Sequence, residues 1–500
     1  MTYLLALSSL LSRLLGVYRN HALASYFGAG GLSDAYFAAF QVPDTLYRLL
    51  VFGAISAAFV PLFLSLKKDD SDGAWEFVSS ITNGFLIFVF VLAAIIFAFA
   101  GGFVSLLYPS FSPDLQLQTT DLLRIMLLSP LFFTFSSVLS GVQNAFRSFW
   151  GFALAPIVYN AAIIFGILVL TPQFGISGVA YGVVLGAFLH AMVQLFPTLR
   201  LGFRWRPILV WSSSFKKMLF TSLPRILSIA SVQINFFIEG VIATTLSVGS
   251  LTVLRYAQDL QSFPIGIIGV SMAISSFSVF SHLVIDKKKS ELATYLRDKL
   301  DHLFILLIPA AFGLYALRVP LTKLILEGGY FDAGAVQLTS VTLAYLCIGL
   351  VAAAVLPLVT RVFFAFHDTF WPFVVSLGTV ALNTVLAIVL AFSLGVAGIG
   401  LASSISVTVS LLLLMSILRW KYLSEESFFH LSHFAVFLLA SLLMGACLQY
   451  ALGMIILSEN NLFLFGQILL LTGIGVLIYG ALLWLFFRKK LIIFVRSLGY

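Results

Sequence analysis

Charge is what this sequence has least of. Its 500 residues hold 28 Lys and Arg and 20 Asp and Glu, so only 10% are charged while 61% are hydrophobic. A soluble globular domain carries roughly 25% charged and 45–50% apolar residues. A chain this poor in charge has too little polar surface to be wetted all round, which excludes a soluble enzyme. The mean hydropathy of +1.07 places it among integral membrane proteins.

Cysteine is nearly absent. Cys347 and Cys447 both lie inside apolar runs, which excludes a disulfide framework and a cysteine-based metal knuckle. A phosphate-cradling glycine loop is missing too. Gly28-Ala29-Gly30-Gly31 is too short for one and reads as a tight external turn, so direct use of ATP is not expected. Asp70-Ser71-Asp72-Gly73 opens like a calcium loop, but Glu76 falls too early for the terminal ligand, and a solvated loop is the reading. The seven histidines show no metal spacing, and His430 and His433 are expected at a membrane interface. No metal and no cofactor are expected; a coupling ion of unspecified identity and the membrane potential are the energy sources left open. The N-terminus has no basic region, and Arg13 interrupts its apolar stretch, so it reads as a retained helix rather than a cleaved signal.

What is present is a succession of apolar segments, each of about 20 residues or more, the length that crosses a bilayer as a helix. The expected fold is an all-α integral membrane protein of about fourteen transmembrane helices. The spans fall near 4–27, 32–65, 75–107, 118–145, 150–171, 176–199, 218–246, 252–283, 292–317, 335–366, 371–393, 396–418, 432–456 and 462–487. Basic residues collect in alternate connections: Lys67/Lys68, Arg147, Arg200/Arg204/Arg206, Lys287–Lys289, Arg361, Arg419/Lys421 and Arg488–Lys490. By the positive-inside rule these connections and both termini are cytoplasmic. Only the 318–332 connection, with Arg318 and Lys323, breaks the alternation. The +8 net charge is therefore topology information, and no nucleic-acid partner is expected.

The chain also repeats itself. Ala54-Ile55-Ser56 recurs as Ala273-Ile274-Ser275, Phe149-Trp150-Gly151-Phe152 as Phe370-Trp371-Pro372-Phe373, and Phe174-Gly175-Ile176-Ser177-Gly178 as Leu394-Gly395-Val396-Ala397-Gly398, always about 220 residues apart. That offset spans six helices, so the repeat keeps its orientation in the membrane. The division expected is an N-lobe of six spans over 1–200, a C-lobe of six over 201–421, and two further helices over 422–500. Parallel repeats with a binding site between them are a transporter plan.

Ionisable groups within spans are costly in lipid and normally face a cavity or a partner. They are Arg13 and Arg19 in span 1, Asp34, Asp44 and Arg48 in span 2, Arg124 in span 4, Arg225 and Glu239 in span 7, and Arg255 and Asp259 in span 8. Most sit in the first two helices of each lobe, as a central cavity with excess positive charge requires. Arg13 and Arg19 differ by about 120° around the helix, so one cavity takes both only if it is broad. The competing readings are structural: ion pairs of Arg48 with Asp44 and of Arg255 with Asp259, each four residues apart, lipid-phosphate contact for Arg225, and helix capping for Asp34. Arginine keeps its charge and pairs bidentately with phosphate, so converging arginines suit a phosphate or diphosphate headgroup.

These residues resemble the MurJ/MviN family of lipid II flippases, within the multidrug/oligosaccharidyl-lipid/polysaccharide exporter superfamily. The likeness is carried by Ser12–Arg19, by the following FGAGGLSDAYFAAFQVPDTLYR and GAISAAFVP, by YAQDLQSFPIGIIGV from Tyr256 to Val270, by LEGGYFDA from Leu326 to Ala333, and by RVFFAFHDTFWP from Arg361 to Pro372. It covers roughly the first 420 residues. The resemblance implies a non-enzymatic transporter of the bacterial cytoplasmic membrane, expected as a monomer in contact with membrane lipids. Its substrate would be the undecaprenyl-diphosphate-linked peptidoglycan precursor, carried from inner to outer leaflet by alternating access, without covalent chemistry.

By resemblance, Arg13, Arg19, Asp34 and Arg48 line the headgroup cavity, and the last two helices form a groove for the lipid tail. Three departures stand out. Asn20 replaces an acidic family position after the arginine of span 1, Tyr47-Arg48 replaces consecutive arginines, and Asp259 stands where the family has arginine. Arg255, one turn earlier, is expected to restore that charge, while Glu239 and Asp259 are candidates for ion coupling. Export of a different lipid-linked oligosaccharide is the alternative function.

Overall fold

The computed structural model describes residues 2–50, 56–211 and 213–497. Helix follows helix: α1 Thr2–Phe27, α2 Gly31–Leu50, α3 Ser56–Asp69, α4 Ser71–Ala98, α5 Ala100–Leu107, α6 Pro113–Met126, α7 Ser129–Ala145, α8 Trp150–Phe165, α9 Thr171–Phe174, α10 Ser177–Arg200 and α11 Ser213–Thr244. The order continues with α12 Ser250–Pro264, α13 Ser271–Ile285, α14 Lys289–Ala316, α15 Arg318–Leu326, α16 Ala333–Ala365, α17 Phe370–Leu394, α18 Val396–Lys421, α19 Leu431–Met454 and α20 Asn461–Ser497. The physical reason is that hydrocarbon offers no partners to backbone N–H and C=O groups, so each crossing segment satisfies them internally.

Among the described residues each expected span falls on helix; residues 51–55, within the second, lie outside them. Eleven helices among the described residues are long and apolar enough to cross a membrane. The spans outside that set are α1, the α2–α3 pair and α11, of which only Ala230–Thr244 counts as a shorter apolar helix. Five of the seven residues singled out for binding or coupling, Arg13, Arg19, Asp34, Arg48 and Glu239, lie on these three. Several spans are broken rather than straight. Two π-helical stretches, Gly166–Leu170 and Ile265–Val270, interrupt spans 5 and 8. Pro130 sits in the first turn of α7, where its missing N–H costs nothing.

The chain divides into two compact units: Met1–Thr252 with Gly328–Asp332, and Val253–Glu327 with Ala333–Tyr500. α11, which opens the second half of the sequence repeat, packs on α2, α3 and α4 and so belongs to the first unit. The core of that unit joins α3, α4, α7 and α11 through Phe59, Phe63, Trp75, Ile81, Val138 and Met218, all buried. In the second unit the core is built on α14 and α16, with Leu300, Leu303, Leu307, Leu350, Leu358 and Val362 buried. Outward apolar residues such as Phe90, Phe392 and Leu477 belong in lipid.

Backbone geometry repeats at the offset of the sequence repeat. Gly175 and Gly395 have φ/ψ of 57°/−142° and 59°/−143°. Arg147 and His367 are both left-handed, at φ 55° and 57°. The turns around them close with equivalent bonds, Ser148 N to Gln143 O and Asp368 N to Phe363 O, at 2.8 and 2.9 Å. Of the sequence repeats, Ala54 and Ile55 lie outside the described residues.

Candidate functional site

Arg19 projects from the middle of α1, half-buried. Its Nη1 donates to Asn160 Oδ1 at 3.1 Å, and its Nε and Nη2 donate to Asn20 Oδ1 at 3.2 and 2.9 Å. Asn160 comes from α8, the helix against which α1 packs. Its amide nitrogen donates to Ser12 O, Ser12 Oγ and Pro156 O at 3.3, 3.2 and 3.0 Å, which turns its carbonyl toward the guanidinium. Among the described residues no carboxylate pairs with Arg19. Its charge is oriented by neutral amides and left uncompensated. Asn20 orients the arginine without cancelling its charge.

Asn160 escaped the sequence reading, which followed ionisable groups alone. The available signal was an amide in the otherwise apolar run Ala155–Phe165. Arg13 lies on the same helix, half-buried.

Asp34 is buried. Its carboxylate accepts from Gly249 N at 2.7 Å, Thr252 N at 2.8 Å and Thr252 Oγ1 at 2.7 Å. The capping expected of it is therefore real, but it serves the start of α12 rather than its own helix. Around it the chain is tightly knotted. Ser33 Oγ donates to Gly28 O at 2.8 Å, and Tyr330 N donates to Ser25 O at 2.9 Å. The glycines are required: a Cβ at Gly28 would lie 2.3 Å from Tyr330 O, one at Gly249 2.2 Å from Ala29 O, and one at Gly329 2.1 Å from Ser25 O. All three have positive φ. The stretch Gly328–Asp332 thus meets the end of α1 and the turn after it, an adjacency that separation in sequence concealed.

Arg48 has an exposed side chain and makes the ion pair with Asp44, at 2.6 Å, that formed its structural reading. Tyr47 packs on Phe133 with ring centroids 4.5 Å apart and the rings tilted by 37°. Arg124 lies over Phe97 and 3.9 Å from Asp121. The side chain of Arg225 lies outside the described residues. Glu239 is buried on α11 and accepts from Asn235 Nδ2 at 3.0 Å.

In the second unit Arg255 is half-buried and its Nη1 donates to Gln258 Oε1 at 3.0 Å, while Asp259 is exposed. A cavity of about 770 Å³ opens among α14, α16, α18 and α19, lined by Phe304, Phe312, Val351, Leu411, Met415 and Phe434, with Arg419 also on its wall. It is apolar, as a groove for a lipid tail should be. α19 contributes to its wall and α20 does not. The same unit brings together Asp301 of α14 with His430 and His433 at the start of α19, a group that spacing along the chain did not reveal.

Eleven helices long and apolar enough to cross a membrane, beside an α1 arginine oriented by neutral amides, fit the class of membrane transporters. The fold is shared with an inward-facing multidrug resistance MATE family transporter of the MOP superfamily, at a TM-score of 0.68 and 18% identity, covering 82% of this chain and 95% of that one. The family model described as Lipid II flippase MurJ matches residues 23–474. The chain belongs to that family. A probable lipid II flippase MurJ of Buchnera aphidicola (subspecies Acyrthosiphon pisum) is 30% identical over 82% of this chain and 81% of its own length. A solved structure of lipid II flippase MurJ in an inward closed conformation aligns with a TM-score of 0.82 and 25% identity, over 98% of this chain and 100% of that one.

Proposed function

We propose that this chain carries lipid II from the inner to the outer leaflet of the bacterial cytoplasmic membrane by alternating access. Membership of the flippase family supports the substrate, and the single observation that carries the mechanism is Arg19. A guanidinium held on α1 by Asn20 and Asn160, with no carboxylate partner among the described residues, keeps a full positive charge available to an anion. In a low-dielectric site that charge replaces the hydration of a diphosphate, and its planar donors match phosphate oxygens two at a time. Arg13, half-buried on the same helix, is the further arginine proposed to extend the cationic lining. Asp34 holds the start of α12 and shapes the site without touching the anion.

The isoprenoid tail never needs to leave apolar surroundings, and the cavity walled by Phe304, Val351, Leu411 and Phe434 offers it a lining inside the second unit. Outward movement of negative charge is favoured by an inside-negative potential, by about 2.3 kcal/mol per charge per 100 mV. Glu239 and Asp259 are the acids available for ion coupling. The two halves of the repeat act as the two lobes of the cycle, with both termini cytoplasmic, and the protein works as a monomer on membrane lipid without a catalytic residue.

Rescue of a strain depleted of its own lipid II flippase tests this reading. Growth restored by this chain is the expected result. Failure at confirmed membrane expression would transfer the assignment to a different lipid-linked oligosaccharide, which Asp259 in place of arginine would then help to select.

A further inference from the structure

Asp301, His430 and His433 converge at the start of α19, outside the arginine-lined site. His430 Nδ1 lies 3.0 Å and His433 Nδ1 2.6 Å from the same oxygen, Asp301 Oδ2. The two imidazole rings are 4.0 Å apart between centroids. The three ligating atoms all lie within 4.8 Å of one another. His433 is buried and the other two are partly covered, so the cluster is a recess with one open side.

From this geometry we infer a binding site for a divalent late first-row metal ion, of which zinc is the type, ligated by His430 Nδ1, His433 Nδ1 and Asp301 Oδ2. Two imidazole nitrogens select against magnesium and calcium, which prefer oxygen ligands. Zinc binds nitrogen and carboxylate oxygen at about 2.0–2.2 Å, so an ion among three atoms this close needs only small side-chain rotations. The ion takes the place of the hydrogen bonds to Oδ2, and each ring binds it as the neutral tautomer, with its one proton carried on Nε2. Three protein ligands leave a fourth position for water on the open side.

The surroundings hold the ligands in place. Arg297, one turn before Asp301 on α14, donates to Ser427 O at 3.4 Å in the connection leading to His430. Phe304, one turn after Asp301, packs edge-on against Phe434 at 5.1 Å and Phe429 at 5.9 Å. Those three rings line the apolar cavity. A metal here would pin α19 to α14 and stiffen the cavity wall, independently of what the arginine site carries.

The test uses the purified full-length chain in detergent, without an affinity tag and stripped with a chelator. Zinc is titrated against a chromophoric competitor, and cobalt is added separately for its absorption spectrum. The expected result is one zinc per chain, a cobalt d–d band, and at least a thirtyfold loss of zinc affinity in both Asp301→Asn and His433→Gln. If His433→Gln does not fold, His430→Ala, at a more exposed position, decides by the same criterion. Equal zinc binding by wild type and the folded variants, or no stoichiometric zinc in wild type, would overturn the assignment and leave the cluster as hydrogen bonds alone.

Discussion

Asp34 and Thr252 are joined twice, through the backbone N–H and the side-chain hydroxyl of Thr252, both to Asp34 Oδ1, at 2.8 and 2.7 Å. Together with the bond from Gly249 N to Oδ2, the buried carboxylate satisfies the N–H groups that the first turn of α12 leaves without helical partners. Removing it strands two backbone donors, each at a cost of about 1–3 kcal/mol. Asp34→Ala should therefore lower stability by roughly 2–4 kcal/mol, and Thr252→Val, which removes only the hydroxyl bond, by about 1 kcal/mol. Unfolding of the purified protein in detergent measures both, and equal losses for the two variants would contradict the capping role.

The glycines of the same region separate two kinds of constraint. Gly329 has φ 53° and no space for a Cβ, which would meet Ser25 O at 2.1 Å; Gly395 has φ 59° and nothing within 4 Å. Gly395→Ala should cost only the strain of a backbone conformation essentially reserved for glycine, φ/ψ 59°/−143°, about 1–3 kcal/mol. Gly329→Ala must also push two backbone segments apart and should cost clearly more, with a larger drop in melting temperature. A smaller effect at Gly329 than at Gly395 would show that the Ser25–Tyr330 contact is not maintained.

Asn160 offers a test of charge without loss of shape. Asn160→Asp keeps the oxygen that accepts from Arg19 and adds a negative charge. The pair then neutralises the guanidinium, and flipping should fall more than tenfold while membrane expression is kept. Asn160→Ala should impair flipping less, since it frees Arg19 without cancelling its charge. Complementation at matched expression distinguishes these outcomes.

Acid sensitivity should have one identifiable source at the turn between α16 and α17. Partial burial alone would raise the Asp368 pKa, but hydrogen bonds from Tyr422 and Lys421 and from the Trp371 N–H hold it below the usual aspartate value. A carboxylate with a depressed folded pKa adds stability that is complete above its unfolded value, about 3.9, and is lost as pH falls through the folded one. Stability should drop in that acid range in wild type and drop less steeply in Asp368→Asn, as thermal unfolding across pH would record.

Much of the fold was legible because lipid imposes a simple rule. Long apolar runs become helices, and basic residues mark the connections, so among the described residues the expected spans meet helix. The repeat could be read from short strings such as Phe174–Gly178 because the same left-handed glycine is needed at Gly175 and Gly395. The site was legible only in part. Arg19 stood out as a charge where none is cheap, but its partner Asn160 is neutral and lies 141 positions away. Arg48 looked similar in sequence, yet its local pairing with Asp44 leaves it exposed. The position of Asp34 over α12, and of Asp301 beside His430 and His433, depends on which helices touch, and hydropathy carries no such information.

The central claim is that the uncompensated charge of Arg19 moves lipid II across the membrane. The most direct measurement is the accessibility of lipid II in the outer leaflet of cells living on this chain alone, compared after rapid replacement by Arg19→Gln at equal membrane levels. Accessible precursor with wild type and its collapse with Arg19→Gln is the predicted result. Unchanged accessibility with Arg19→Gln would contradict the account.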